Sequence, residues 1–333
     1  MKPRKGWGTR IPAAPDRIRS HFGLGFQFSA VQVFSPGFDA PPRSAPSYVR
    51  AVAILSVDLA HRNWSDLGIV ILDRVKTQTA LVDAYGANAE PGAVQCEMIR
   101  FTAAGINSSL SPLILDPQSA TAVDAEVLAG QLNHLANVRG IRAIVLNGPQ
   151  AWKSGENGLE FARVSERQLN TSAKTGLPGV VMPRSYRAFA EFCMDVYDGL
   201  CRRGWQRLST QGEVAASEDR VLIESSPHAA WKSLGLKPLC SKRRARVSDL
   251  AEAYSALNHL VPLTCNRPPN HDQLQAIVGG LSGIAIAERN VAAVRIVGNA
   301  PRREQGHWRE GFIVLPLPPL GAGRWLNSMR WLT

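Results

Sequence analysis

Three acids stand where an acid is costly. Asp58 closes the apolar run "VRAVAILSVD", Glu224 closes "VLIE", and Asp272 falls in the first turn of a helix opened by "RPPNHD". A carboxylate at the end of a buried strand must face a partner or solvent at the sheet's edge. Its ordinary use is a cap. Glu224 is followed by Ser225 and Ser226, which equally cap a helix starting near Pro227; Asp58 suits the turn at Ala60-His61; Asn270 is a ready N-cap beside Asp272. Its chemical use is as an oxygen donor, which suits hard cations such as magnesium. The five cysteines have no metal-ligand spacing and form no disulfide framework, so neither zinc nor a stapled scaffold is indicated.

The elements that must position these acids follow from periodicity. Strands are expected at 49–58, 66–73 and 78–86, with a polar, loop-like stretch over 87–117. Val123, Val127, Leu128, Leu132 and Leu135 recur at helical spacing and Gly140 closes that helix. "IRAIVLNGP" reads as a buried strand, followed by an insertion over about 151–218 that carries one helix from Pro183 to Gly204. After the Glu224 strand come a short helix, the basic run "SKRRAR", a helix near 248–260 and the final helix "QLQAIVGGLSGIAIAER". Strands separated by helices usually return parallel. The expected fold is therefore α/β: a ribonuclease H-like mixed sheet with flanking helices and a helical insertion between the fourth and fifth strands.

The chain has 333 residues, 45% of them hydrophobic, and a formal net charge of +11. No run approaches the ~20 apolar residues of a membrane span, and a cytoplasmic location is expected. Basicity favours a polyanionic partner. Residues 1–48 hold seven Lys and Arg against Asp16 and Asp39, which marks a basic, Pro-rich irregular arm. The division is then an arm over 1–48, a ribonuclease H-like domain over 49–295 and a basic C-terminal extension over 296–333.

Three segments together resemble the DUF429 family of predicted nucleases: "LSVDLAHRNWSDLGIVIL"; "AIVLNGPQAW" with "RVSERQL" and "GLPGV"; and "VLIESSPHAAWKSLGLKPLCSKRR". The resemblance covers about residues 50–290, and its most specific piece is the Glu-x-x-Pro-x-x-x-Trp block. It implies a phosphodiesterase site with two Mg2+ or Mn2+ ions, catalytic Asp58, Glu224 and Asp272, and metal ligands Asp58, Asn147, Glu224 and Asp272. Two such cations roughly 4 Å apart need carboxylates converging from several elements. Asp58 and Glu224 are thus expected on neighbouring strand ends, with Asp272 facing them. The departure is Asn147 in "LNGPQ", where the family carries Asp-x-Pro; a neutral amide there removes one negative charge and weakens hydrolysis.

Lys242, Arg243 and Arg244, and less strongly Arg163 and Arg167, are the expected phosphate contacts in DNA or RNA; a solvated charge run is the alternative. Trp152, Trp231 and Trp308 either pack or stack on bases. Two further readings stand beside a nuclease. One is a nucleic-acid-binding or assembly protein that keeps the fold without cutting, which Asn147 favours. The other is an actin-like ATP-dependent phosphotransferase, which "IVGGLSG" suggests and the lack of a phosphate turn after Asp58 opposes. The sequence leaves any protein partner and the oligomeric state open.

Overall fold

The computed structural model describes residues 49–76, 93–102, 105–107, 121–210 and 220–318. All belong to one compact unit, Pro46–Thr333. The arm and the strand expected at 78–86 lie outside the described residues.

Strands β1 (Val49–Asp58), β2 (Gly68–Lys76), β3 (Val94–Thr102) and β4 (Gly105–Asn107) open the chain, and α1 (Ala125–Arg139) leads to β5 (Ala143–Asn147). The insertion holds α2 (Val164–Leu169), the ribbon of β6 (Lys174–Thr175) and β7 (Val181–Met182), α3 (Arg187–Arg202) and β8 (Gln206–Arg207). Then follow β9 (Val221–Glu224), α4 (Pro227–Ser233), α5 (Val247–Leu260), β10 (Leu263–Cys265) and α6 (His271–Ala287). The chain returns through β11 (Val294–Val297), β12 (Arg302–Glu304), β13 (His307–Arg309) and β14 (Ile313–Pro316).

The main sheet runs β10-β3-β2-β1-β5-β9-β14-β11. β1, β2 and β3 are antiparallel neighbours, while β5 and β9 return parallel to β1. This is the ribonuclease H-like order expected from the sequence, a mixed sheet with helices on both faces.

Two expectations are corrected. Strand β3 lies inside the stretch expected to be loop. Val94, Cys96 and Met98 are buried and alternate with Gln95 and Glu97, a period-2 signal that the preceding Pro91-Gly92 obscures. The expected extension from residue 296 instead supplies sheet: β14 pairs parallel with β9, and β11 pairs antiparallel with β14. Ile313, Val314 and Leu315 are buried there, so this segment completes the core.

The sheet divides the core in two. Ile54, Val145 and Ile223 pack with Ile277, Val278 and Leu281 of α6, whereas Leu55, Val57, Leu146 and Leu222 pack with Leu132 of α1 and Val196 of α3. Side chains alternate across a strand, so each strand-end residue is committed to one face by its parity. Helix α6 starts at Asn270, whose side chain accepts a hydrogen bond from Gln273 N at 2.9 Å. It lies almost against the sheet, where Ser56 Oγ donates to Ala276 O at 2.7 Å.

Candidate functional site

Asp58, Asn147 and Asp272 meet on the α6 face. Asp58 is in register with Asn147 on one side and with Gly68 on the other. A Cβ at Gly68 would stand 2.1 Å from the carbonyl oxygen of Asp272, so only glycine there lets the first turn of α6 close over the end of β1. Asp58 keeps an opening to solvent but is otherwise enclosed by protein. Burial, and next the charge of Asp272, push its carboxyl up to about 8, against the opposing influence of His271, Asn147 and Lys242. Asn147 hydrogen-bonds the Asp58 carboxyl and donates from Nδ2 to Gln275 O at 3.1 Å. Its Oδ1 is buried without a hydrogen-bond partner and faces Gly279, where a Cβ would come within 2.5 Å of it.

Asp272 is not bare. Lys242 Nζ lies 2.5 Å from its Oδ2 and 2.7 Å from Asp66 Oδ1. Burial lowers the proton affinity of Lys242, but the hydrogen bonds to Asp272 and Asp66 outweigh it and hold the ammonium above its ordinary range. His271 sets Nδ1 3.1 Å from Asp272 Oδ1 and Nε2 2.9 Å from Cys240 O, and the bond to Asp272 raises its basicity. The "SKRRAR" turn thus delivers one ammonium to two carboxylates.

Glu224 does not join this group. It is in register with Leu146, one residue short of Asn147, and a one-residue offset turns a side chain to the other face. β5 also lies between β1 and β9, so the expected neighbouring strand ends of Asp58 and Glu224 are not neighbours. On the insertion side Arg163, 1% exposed, takes both Glu224 oxygens, Nη1 to Oε2 at 2.7 Å and Nη2 to Oε1 at 2.6 Å. Gln150 N donates a third bond to Glu224 Oε2 at 3.0 Å. Arg163 also bonds Glu166, which accepts in addition from Thr175 N and Oγ1. Burial holds Glu224 above the ordinary carboxylate range even with Arg163 opposing it. Ser225, one residue past the end of β9, also faces α6: its Oγ would be 3.1 Å from a Cβ at Gly279 and has no hydrogen-bond partner.

The basic candidates separate in the same way. Arg163 is enclosed in its ion pair and is no phosphate contact, whereas Arg167, Arg243 and Arg244 are exposed. The tryptophans pack. Trp231 is fully buried with Nε1 donating to Gln275 Oε1, Trp152 is buried, and Trp308 is covered by the guanidinium groups of Arg207 and Arg303, 4.4 and 4.9 Å from its ring. Sequence reasoning missed Ser225 and also Glu310, a fully buried acid that accepts from Ser154 N, Asn157 Nδ2 and Val164 N and ties the insertion to the returning chain. The SSPH segment after Glu224 offered Ser225 only as a cap, and nothing around Glu310 in the sequence marks it.

Among the described residues no group of three or more His, Cys, Asp and Glu has the arrangement of a metal centre. Because Glu224 lies on the other face with Arg163, the four residues expected to ligate two cations are not brought together. Two mutually repelling carboxylates with an amide beside them do fit one hard cation, since magnesium is commonly held by one or two carboxylates with water and phosphate completing its shell. Among the described residues no helix is long and apolar enough to cross a membrane.

No family model and no curated protein matches the chain. A solved structure titled "Thermus thermophilus RuvC structure" aligns with a TM-score of 0.30 and 10% identity, over 72% of this chain and 95% of that one. The fold assignment rests on the strand order and register.

Proposed function

We propose that this protein is a metal-dependent nuclease of the ribonuclease H-like type, in which Asp58 and Asp272 hold one Mg2+ or Mn2+ ion against a phosphodiester of DNA or RNA. The observation that carries the reading is the meeting of Asp58, Asn147 and Asp272 at the end of β1, with Asn147 Oδ1 buried and without a hydrogen-bond partner; burial and the charge of Asp272 push the Asp58 carboxyl up. Carboxylates forced together against their own repulsion are what a bound divalent cation relieves. When bound, such a cation polarises the phosphoryl group and makes water a better nucleophile. The chain's own groups do the rest. Asn147 orients the Asp58 carboxyl, His271 and Lys242 orient Asp272, and Arg243 and Arg244 offer charge to the flanking backbone. The three segments that resemble the DUF429 family lead to the same chemistry, although no family model matches the chain. Glu224 is assigned to anchoring Arg163 and takes no part in cation binding.

The test is cleavage of labelled single- and double-stranded DNA and RNA with Mg2+ or Mn2+, by the wild type and by Asp58→Asn and Asp272→Asn. Metal-dependent cleavage lost in both variants is expected. A second reading, nucleic-acid binding without cleavage, is favoured by Lys242, whose ammonium already supplies a positive charge to Asp272 and Asp66. Nucleic-acid binding that persists with no cleavage and no Mn2+-induced stabilisation of the fold would decide for it.

A further inference from the structure

Cys96 on β3 and Cys265 on the edge strand β10 are register partners in a parallel pair, so their side chains leave adjacent strands side by side on the same face. Neighbouring strands are about 4.8 Å apart, within the Cα separation a disulfide accepts. The register is pinned by backbone bonds on both sides of the pair, Val94 N to Pro262 O and Asn266 N to Cys96 O. Cys96 is buried, Cys265 is half-buried, and both are free thiols.

We propose that Cys96 and Cys265 form a peroxide-responsive pair, in which Cys265 is oxidised first and Cys96 closes a disulfide onto it. The Cys265 thiolate attacks one oxygen of hydrogen peroxide, the O–O bond breaks and hydroxide leaves, giving a sulfenic acid. The Cys96 sulfur then displaces the sulfenic hydroxyl, and that hydroxyl departs as water with the Cys96 proton. Peroxide accepts two electrons, one from each sulfur in the final disulfide. The order follows from the surroundings. The hydrogen bond from Cys96 brings the Cys265 thiol down to about 7, against burial, with Tyr254 assisting; the same bond and burial push Cys96 up. Burial also raises Cys193 and Cys201, so like Cys96 they hold little thiolate for the first attack on peroxide. The bond would staple the edge of the sheet just before α6, the helix that carries Asp272. It stands independently of the cation reading.

The experiment treats the full chain with stoichiometric hydrogen peroxide, blocks remaining thiols and maps peptides by mass spectrometry. A Cys96–Cys265 cross-linked peptide lacking two hydrogens, reversed by dithiothreitol, is expected in the wild type and absent in Cys265→Ser. In Cys96→Ser a dimedone adduct should collect on Cys265. If the Cys96 variant does not fold, the wild-type map with Cys265→Ser decides alone. Oxidation at the exposed Cys240 giving intermolecular dimers, with Cys96 and Cys265 still reduced, would overturn the proposal.

Discussion

Replacing Asp58 by Asn should make the metal-free protein more stable, and increasingly so as pH rises. An aspartate in the unfolded chain ionises near pH 4, whereas in the folded protein Asp58 ionises near 8. Below pH 4 both states are protonated and the group is neutral to folding. As pH climbs, the unfolded chain releases its proton first and gains free energy that the folded protein forgoes until about 8, so stability falls across that window. The full difference has an upper bound of roughly 5 kcal/mol, which solvent at the open side of the carboxyl reduces. The assay is urea denaturation in EDTA from pH 4 to 9 for both proteins. The wild type should lose stability relative to Asp58→Asn by several kcal/mol, and Mn2+ should restore it in the wild type only. Parallel profiles for the two proteins would mean that Asp58 ionises normally, and the repulsion on which the cation site rests would be gone.

Glu224→Ala should cost about 3 kcal/mol of stability, because it leaves the buried Arg163 with Glu166 alone, yet leave Mn2+ affinity unchanged; urea denaturation checks the first and isothermal titration on the folded fraction the second. Asn147→Asp should raise Mn2+-dependent cleavage by adding an acid beside Asp58, and in EDTA should steepen the loss of stability with pH. A chain lacking residues 1–48 should fold as before and bind nucleic acid less tightly at low salt, with a shallower salt dependence in a filter or anisotropy assay.

The order of the sheet was legible because each strand of the parallel part is a short apolar run closed by a turn, and because Ala276 and the glycines after it announce a helix lying close to a sheet. Asp58 and Asp272 were legible as a pair for the same reason. The role of Glu224 was not. Its face depends on the register of β9 against β5, and a slip of one residue leaves the sequence pattern unchanged while reversing every side chain. Arg163 was equally hidden, since it precedes a short helix while its partner ends a strand 61 residues on, and an arginine in a polar stretch reads as a surface charge. The strands after α6 escaped notice because the small β12–β13 ribbon interrupts them, leaving two four-residue runs that lack the length of a convincing strand.

The one-residue offset has a consequence for how the protein can change. β5 is a common wall with a tenant on each side: Asn147 looks toward Asp58, and Leu146 is level with the Glu224 clamp. Substitutions around Arg163, Glu166 and Glu310 can remodel the insertion, and with it any surface offered to a partner, while the acids under α6 keep their surroundings. One structural element they share is a five-residue strand, Ala143–Asn147, buried along its whole length. Variation in what the insertion recognises and variation in what the acids do are therefore largely separable traits, and a change in that strand disturbs both at once.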